Sequence, residues 1–278
     1  MRLIVSSTND KASKNIMDNL LKYDWNEIDE YKGNPVYQRK NDIMVSVNKH
    51  HIYVDNVDKE IKSKFSIEID HVVYISKHES KAGVHSLTVH PVGNFGEAKF
   101  GGKDNELVPP VPPHMSSALR TLWSEVDNKD LKKEYEVSFE VTHHGPFLET
   151  PTYYIEIGSD ETCWTDEKAG KIIASTLINI EKNLIDDVPI LVCIGGGHYA
   201  TRFTDLARRK KVSIGHMVPR WAMKSLNEKN LKEAILQSKA DYIYFDRENT
   251  SEKEREWISK WAQDIKVDSI KSSYFENL

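Results

Sequence analysis

The sequence predicts an α/β protein, and three features carry that prediction. The apolar segments 2–7, 70–76 and 189–194 are short and continuous, which is typical of strands buried on both faces of a parallel sheet. Segments such as 114–126 repeat apolar residues at the spacing of an amphipathic helix. Strands and helices alternate along the chain, which favours an α/β arrangement over an all-helical or all-strand one.

The composition is that of a folded protein without a membrane segment. The chain has 278 residues, of which 39 % are hydrophobic and 29 % charged, and its net charge is −5. That length suits one large domain or two small ones, and we predict a single domain over residues 1–278. No apolar run approaches the roughly 20 residues of a membrane helix, and the N-terminus lacks signal-peptide architecture. We expect a cytoplasmic monomer with no obligate protein partner.

Cysteine usage and net charge exclude two further classes of site. Cys163 and Cys193 are far apart and form no CxxC pair, so a disulfide framework is excluded and a thiolate zinc site is disfavoured. The acidic balance argues against non-specific binding to nucleic acid. It still allows a local basic patch.

The N-terminal third is predicted as strands joined by one helix and several turns. Asp10 stands where it can cap the helix that follows strand 2–7. Segments 43–47 and 52–54 are predicted strands, and the His50-His51 pair between them is expected in a solvent-exposed loop. Strand 70–76 is followed by a polar turn and then by a strand that ends at His90 and Pro91.

A long connection rich in glycine and proline spans residues 91–113. Loops of this length are usually functional, disordered or linkers. We interpret it as a lid or wall over a site, because histidines flank it on both sides; a plain surface excursion is the alternative.

Later elements are predicted as follows: strands at 137–141, 152–158, 189–194, 240–245 and 265–270, and helices at 114–126, 165–183, 227–237 and 251–262.

Two adjacent histidines, His143 and His144, end the strand that begins at Val137. Neighbouring residues on a strand point to opposite faces, so both can bind one metal only if the backbone bends at Gly145-Pro146. Otherwise one histidine faces a cleft and the other packs. A purely structural pair that caps the strand is the remaining alternative.

Other histidines also stand at predicted strand ends, with carboxylates close by in sequence. Imidazole and carboxylate are the ligands of catalytic zinc, which keeps one position open for water. We therefore predict zinc as the cofactor, with His143, His144 and His90 as ligands. A free histidine or carboxylate moves protons in such sites. The candidates for this catalytic role are His198, His78 and Glu79, while His216, Glu149 and Glu156 stand nearby.

Strand 189–194 runs into a glycine-rich turn, Gly195, Gly196 and Gly197, and then into a helix. Backbone N–H groups at such a helix start can hold a phosphate or a carboxylate, and Arg202 would add a positive charge. The turn matches neither GxGxxG nor a Walker A sequence. A tight turn whose glycines serve packing alone is the alternative.

Several familiar hydrolase signatures are missing from the sequence. It contains no GxSxG elbow and no HExxH, and neither cysteine stands near a histidine. The residues alone therefore indicate an α/β hydrolase-like enzyme that depends on zinc.

Four basic residues end the helix after the glycine turn: Arg208, Arg209, Lys210 and Lys211. Basic runs at this position usually just stabilise the end of the helix.

Five segments stand in order along the chain: SKHES at 76–80, LTVHPVGNF at 87–95, EVTHHGP at 140–146, GGGHYATR at 195–202 and GHMVP at 215–219. Together they resemble the archaeal and plant type of D-aminoacyl-tRNA deacylase, and the resemblance spans nearly the whole chain. The resemblance implies hydrolysis of the ester that joins a D-amino acid to tRNA, with zinc as cofactor. It also implies a three-layer α/β sandwich with a mixed, mostly parallel central sheet, related to phosphorylases and peptidyl-tRNA hydrolases. On this interpretation the glycine turn holds a phosphate or an oxyanion, and Arg202 and the basic run contact tRNA.

Three other functions compete with this interpretation. A zinc-dependent aminopeptidase or amidohydrolase acting on small substrates would need no basic surface for tRNA. A nucleoside phosphorylase would use the glycine turn for inorganic phosphate. A non-catalytic RNA-binding module predicts no turnover, and it leaves the histidines at the strand ends unexplained.

Overall fold

A mixed eight-stranded sheet organises the larger part of the fold in the computed structural model, which describes residues 1–81 and 83–278. Its strand order is β2-β3-β4-β1-β5-β8-β6-β7. The central pairs are parallel, whereas β2, β3 and β4 pair antiparallel and β6 runs antiparallel to β8. The strands are β1 (Arg2–Ser7), β2 (Asn26–Tyr31), β3 (Asn34–Arg39), β4 (Asp42–Val47), β5 (His71–Lys77), β6 (Ser86–Pro91), β7 (Glu136–Phe139) and β8 (Thr152–Gly158).

A second, smaller sheet contains the C-terminal strands. It consists of β9 (Ile190–Gly196), β10 (Ser213–Pro219), β11 (Tyr242–Phe245) and β12 (Asp268–Ile270) in the order β10-β9-β11-β12, and every pair is parallel. The mixed, mostly parallel α/β class predicted from the sequence is confirmed. The division into two sheets was not predicted, because periodicity identifies strands but not their partners.

Eight α-helices pack on these sheets within the described residues, and none of them is both long and apolar enough to cross a bilayer. The Asp10 carboxylate accepts a hydrogen bond from the Ser13 N–H, which confirms the predicted N-cap. The helices are α1 (Lys11–Leu20), α2 (Val57–Phe65), α3 (Pro112–Asn128), α4 (Glu161–Trp164), α5 (Glu167–Asn179), α6 (Thr201–Arg209), α7 (Glu228–Ser238) and α8 (Glu252–Gln263).

Helices or loops cover both faces of the large sheet, which explains its continuous apolar strands. Leu3 and Val5 pack on the face covered by α2, whereas Ile4 between them packs with α1, α3 and α5 on the other face. Helix α3 contacts both β6 and β10, so it lies between the two sheets. One apolar cluster includes residues of both sheets and of α3, so it connects the two halves of the chain.

Two expectations about the N-terminal third were wrong. The residues predicted as a strand at 52–54 form no strand, because Ile52 and Tyr53 belong to the 3-10 helix His51–Tyr53 and Val54 caps it. His51 was expected in a solvent-exposed loop, but it is fully buried against Tyr74 and Tyr154. The β2–β3 hairpin was missed because β2 exposes most of its side chains and so lacks an apolar face.

Candidate active site

Register between neighbouring strands brings the functional side chains together on one face of the large sheet. His90 on β6 lies opposite Tyr154 on β8, so His90 and Glu156 are diagonal neighbours on the same face. Their Nε2 and Oε2 atoms are 3.6 Å apart. Glu140 follows β7, the next strand, and its N–H donates to the Val89 carbonyl.

The carboxylate of Glu140 is the buried centre of this arrangement. It has no solvent exposure, and its Oε2 lies 2.9 Å from Nε2 of His198, 3.2 Å from Nδ1 of His78 and 3.5 Å from Nε2 of His143. Burial alone would raise the pKa of Glu140, but the contacts with His198 and His78 outweigh it and hold that pKa well below its usual value. Glu140 is therefore an anion surrounded by histidines.

Three histidines beside Glu140 present the features of a metal site. One nitrogen from each of His90, His143 and His144 lies within 4.8 Å of the other two. Each ring donates Nδ1–H to a backbone carbonyl, at 3.0, 2.7 and 2.6 Å respectively. A histidine whose Nδ1–H is hydrogen-bonded in this way can bind a metal through the lone pair on Nε2. Nε2 of His90 is buried and has no hydrogen-bond partner among the described residues.

Protonation of these three rings differs with their surroundings. Burial lowers the pKa of His143 to about 3, and it also lowers the pKa of His144 well below its usual value, so both rings are neutral as ligands must be. At His90 the effect of burial is opposed by Glu156, and the pKa ends above its usual value. A proton and a metal therefore compete for Nε2 of His90.

The backbone bends so that two adjacent histidines face the same space. His144 adopts φ = +47°, so the reversal begins one residue before the predicted Gly145-Pro146 turn. The 91–113 loop fixes this conformation, because the His144 carbonyl accepts from the Gly93 N–H at 2.9 Å and the Gly145 N–H donates to the Phe100 carbonyl at 3.0 Å.

A second histidine pair lies on the other side of Glu140. Burial lowers the pKa of His78, but the contact with Glu140 outweighs it and raises that pKa above its usual value. Nε2 of His78 lies 3.2 Å from the hydroxyl of Tyr199. His198 stacks against His78 and keeps 37 % of its side chain exposed, so it connects the buried carboxylate with solvent.

Two lobes of one cleft meet at these histidines. The first lobe, of about 480 Å³, is lined by Trp221 and by residues 93–97, 99 and 100 of the long loop. The second lobe, of about 540 Å³, is lined by Tyr53, Lys77 and Glu156 among others. Phe100, His143, His144 and His198 line both lobes. The interpretation of segment 91–113 as a wall over the site agrees with this position.

Comparison with known proteins assigns the chain to a family. The sequence model of the D-aminoacyl-tRNA deacylases matches residues 65–270, a span that includes every histidine of the cluster. The chain belongs to the D-aminoacyl-tRNA deacylase family. The resemblance seen in the five sequence segments is thereby confirmed.

Relatives and a solved structure extend the match over nearly the whole chain. The D-aminoacyl-tRNA deacylase of Pyrococcus abyssi is 34 % identical over 276 residues, which cover 98 % of this chain and 100 % of that protein. The one from Methanococcoides burtonii is 35 % identical, and the match covers 98 % of this chain but 56 % of that longer protein. A crystal structure of a conserved protein of unknown function superposes with a TM-score of 0.92 at 31 % identity, covering 100 % of this chain and 99 % of that one.

Not every predicted site residue of this family member reaches the cluster. Glu79 is 71 % exposed at the rim of the second lobe, and its carboxylate lies 2.9 Å from Nζ of Lys77. Glu149 is 65 % exposed and pairs with Lys59. His216 is buried elsewhere, with Nδ1 at 3.1 Å from Oγ1 of Thr142. Of the three carboxylates noted near the histidines, only Glu156 lies among them.

The glycine turn packs tightly at two of its three positions. A Cβ on Gly196 would lie 2.6 Å from Cε2 of Phe203, and Gly195 has φ = +97° with Thr250 against it. Gly197 is open, but it lines a different cavity together with Arg202. The turn positions His198 beside the cluster, and the His198 carbonyl accepts a hydrogen bond from the Val141 N–H at 3.0 Å.

The basic run lies at the far end of α6 and is engaged within the chain. A nine-residue helix is about 12 Å long, so these side chains start about that far from the glycine turn. Arg208 stacks on Trp123 at 3.8 Å, and Nζ of Lys210 donates to the Phe275 carbonyl. Lys211 pairs with Glu276, and Arg209 lies 3.8 Å from Asp205.

Sequence reasoning missed the residue with the most contacts in the site. Glu140 was noted only as the first residue of the segment EVTHHGP at 140–146. The available signal was a carboxylate three positions before His143, between Phe139 and Val141, in the predicted strand 137–141, whose other side chains are apolar or small. A charge is rarely buried there unless it is paired.

Proposed function

We propose that this chain hydrolyses the ester of D-aminoacyl-tRNA and releases the free D-amino acid and tRNA. Family membership supports the substrate class. The observation that supports a hydrolytic reaction is the contact of His198 with buried Glu140 at the junction of two lobes. A half-exposed histidine that is oriented by an anion is suited to general acid–base catalysis.

We propose zinc as the resident metal, bound by His90, His143 and His144. The fit is chemical: three imidazoles whose Nδ1 atoms are hydrogen-bonded converge, His143 and His144 are neutral, and the buried Nε2 of His90 lacks a hydrogen-bond partner in the described residues. When bound by three protein ligands, zinc keeps an open position and lowers the pKa of water there to about 7.

The proton transfers are assigned to His198 and Glu140. Glu140 is anionic and lies 2.9 Å from Nε2 of His198, so it favours the tautomer with the proton on Nε2 and leaves Nδ1 free to accept a proton. His198 then takes a proton from the water that attacks the ester carbonyl. It later returns that proton to the ribose oxygen as the ester bond breaks, while Glu140 stabilises the imidazolium in between. His78 lies beside the same carboxylate, and its other ring nitrogen, Nε2, contacts the hydroxyl of Tyr199.

Deacylation of D- and L-tyrosyl-tRNA, measured with and without chelator, tests the proposal. The expected result is faster release of D-tyrosine, loss of that activity in chelator and its recovery with zinc. Hydrolysis of small peptides or amides without action on tRNA would instead support the aminopeptidase or amidohydrolase alternative. Cell fractionation and gel filtration test the expected cytoplasmic location and the monomeric state.

A further inference from the structure

Exposed aromatic side chains surround both lobes of the cleft. Large apolar side chains that face solvent beside a cavity mark binding surfaces. Among the described residues, few large apolar side chains are exposed, and three of them line the cleft: Tyr53 at 59 %, Phe100 at 64 % and Trp221 at 55 %. Trp221 belongs to the first lobe, Tyr53 to the second, and Phe100 stands between them.

Trp221 continues a column of rings that starts at the buried carboxylate. The His78 and His198 rings are inclined by 28° with centroids 5.2 Å apart, and the His198 and Trp221 rings by 26° at 5.9 Å. The column therefore ends at the surface in a half-exposed indole. Stacking of one further planar ring on an aromatic platform of this kind is how proteins bind unpaired bases.

The lining of the two lobes differs in charge. Among the described residues that line the first lobe, Glu97 and Lys99 are the only charged ones apart from histidines; both are about 70 % exposed, and their charged groups lie 3.6 Å apart. The second lobe contains the buried carboxylate of Glu156, while at its rim Glu79 pairs with Lys77, and Lys81 also lines the lobe. The buried carboxylate of Glu156 attracts the α-ammonium group of an aminoacyl ester, whereas a nearly uncharged aromatic lobe suits a purine ring.

We propose that Trp221 and Phe100 bind the 3′-terminal adenine of tRNA in the first lobe, and that the D-aminoacyl group extends past His198 into the second lobe toward Tyr53. The inference rests on the proposed function, since it assigns the two ends of that substrate to the two lobes. It places the ester bond at the histidines that both lobes share.

Steady-state kinetics on D-tyrosyl- and D-alanyl-tRNA distinguish the lobes. A stacked base contributes about 1–3 kcal/mol, so Trp221→Ala should raise KM about 5- to 150-fold for both substrates, whereas Trp221→Phe keeps an aromatic ring and should raise KM less. Tyr53→Ala should instead change the ratio of kcat/KM between the two substrates. Tyr274→Ala is the matched control, because Tyr274 is 63 % exposed and contacts Tyr242 outside the cleft.

Binding of AMP tests the adenine site without any turnover. AMP should inhibit deacylation competitively and more strongly than UMP, and it should quench the fluorescence of the parent but not of Trp221→Phe. Unchanged KM in Trp221→Ala, or a fall in kcat alone, would overturn the proposal and leave Trp221 as a support for His198. The proposal would also be overturned if Trp221→Ala, rather than Tyr53→Ala, changed the ratio of kcat/KM between the two substrates. Failure of the parent to deacylate D-tyrosyl-tRNA would count against the proposed function, whereas the AMP measurement reports on the adenine site alone.

Discussion

The Nε2 atom of His198 lies 2.9 Å from Oε2 of Glu140, although the two residues follow strands of different sheets. Glu140 follows β7 of the large sheet and His198 follows β9 of the small one. A backbone hydrogen bond from Val141 to the His198 carbonyl joins the two segments directly beside this contact. The site therefore depends on how the two sheets pack against each other.

Glu140→Gln should slow deacylation by about 100-fold or more, the lower range of general acid–base contributions. The amide keeps the shape of the side chain but cannot stabilise the protonated His198. Single-turnover rates on protein checked for folding by circular dichroism measure the effect. Glu79→Gln is the control and should stay within a few-fold of the parent, because Glu79 is exposed and pairs with Lys77. Equal losses in both variants would contradict this assignment.

His143→Ala and His144→Ala should each lose most of the bound zinc, since a three-ligand site does not retain the metal well with two. His198→Ala should keep the metal of the parent and still turn over at least about 100-fold slower. Elemental analysis of untagged protein gives the metal content. Full zinc in His143→Ala together with loss in His198→Ala would move the site to the group of His78, Glu140 and His198.

Gly196→Ala should destabilise the fold and leave the chemistry intact. Its new Cβ would meet the Phe203 ring at 2.6 Å, and overpacking of this kind typically costs about 1–3 kcal/mol. Urea unfolding measures the loss, and Phe203→Leu in the same chain should recover part of it. A stable Gly196→Ala protein without activity would instead restore the substrate-binding role predicted for the turn.

Stability should fall in mild acid because of buried neutral histidines. Burial lowers the pKa of His216 to about 4, whereas the unfolded chain has a histidine pKa of about 6.5. Between these values the unfolded state takes up a proton that the folded state does not. The contribution of neutral His216 to the free energy of unfolding is therefore complete above pH 6.5, and it declines by up to roughly 3 kcal/mol as the pH falls toward 4.

Urea unfolding at pH 7.5 and pH 5.0 measures this effect. His216→Gln should lose less stability between the two pH values than the parent does. His85→Gln is the matched control and should behave like the parent, because His85 is exposed. Equal pH dependence in the His216 variant and the parent would refute the assignment.

Neutralising Arg209 and Lys211 should lower the salt dependence of tRNA binding if the end of α6 contacts the nucleic acid. Each lost phosphate contact removes about one unit of slope, so the double change to glutamine should remove about two. These two side chains are the more exposed part of the basic run, at 68 % and 47 %. Filter binding across a salt series gives the slope. An unchanged slope would place tRNA elsewhere, for example along the 91–113 loop.

Much of the site could be predicted from local pattern. The Asp10 cap and the buried strands follow from residue types and periodicity, which act over a few residues. The grouping of His90, His143 and His144 was also predicted, because all three end strands in one region of the chain. The sequence could not show that Glu140 rather than Glu79 reaches the histidines. Glu79 stands next to His78, and Glu140 stands three positions before His143, so both have a histidine close by in the chain.

The sequence by itself determined the α/β class, the strand ends that carry histidines and the resemblance to the family. Only the tertiary structure decided which carboxylates serve the site and what the glycines do. Glu140 and His198 are 58 positions apart, and His90 meets Glu156 through the antiparallel register of β6 and β8. Such distances depend on strand register and sheet packing, which arise from the whole apolar core rather than from any local segment.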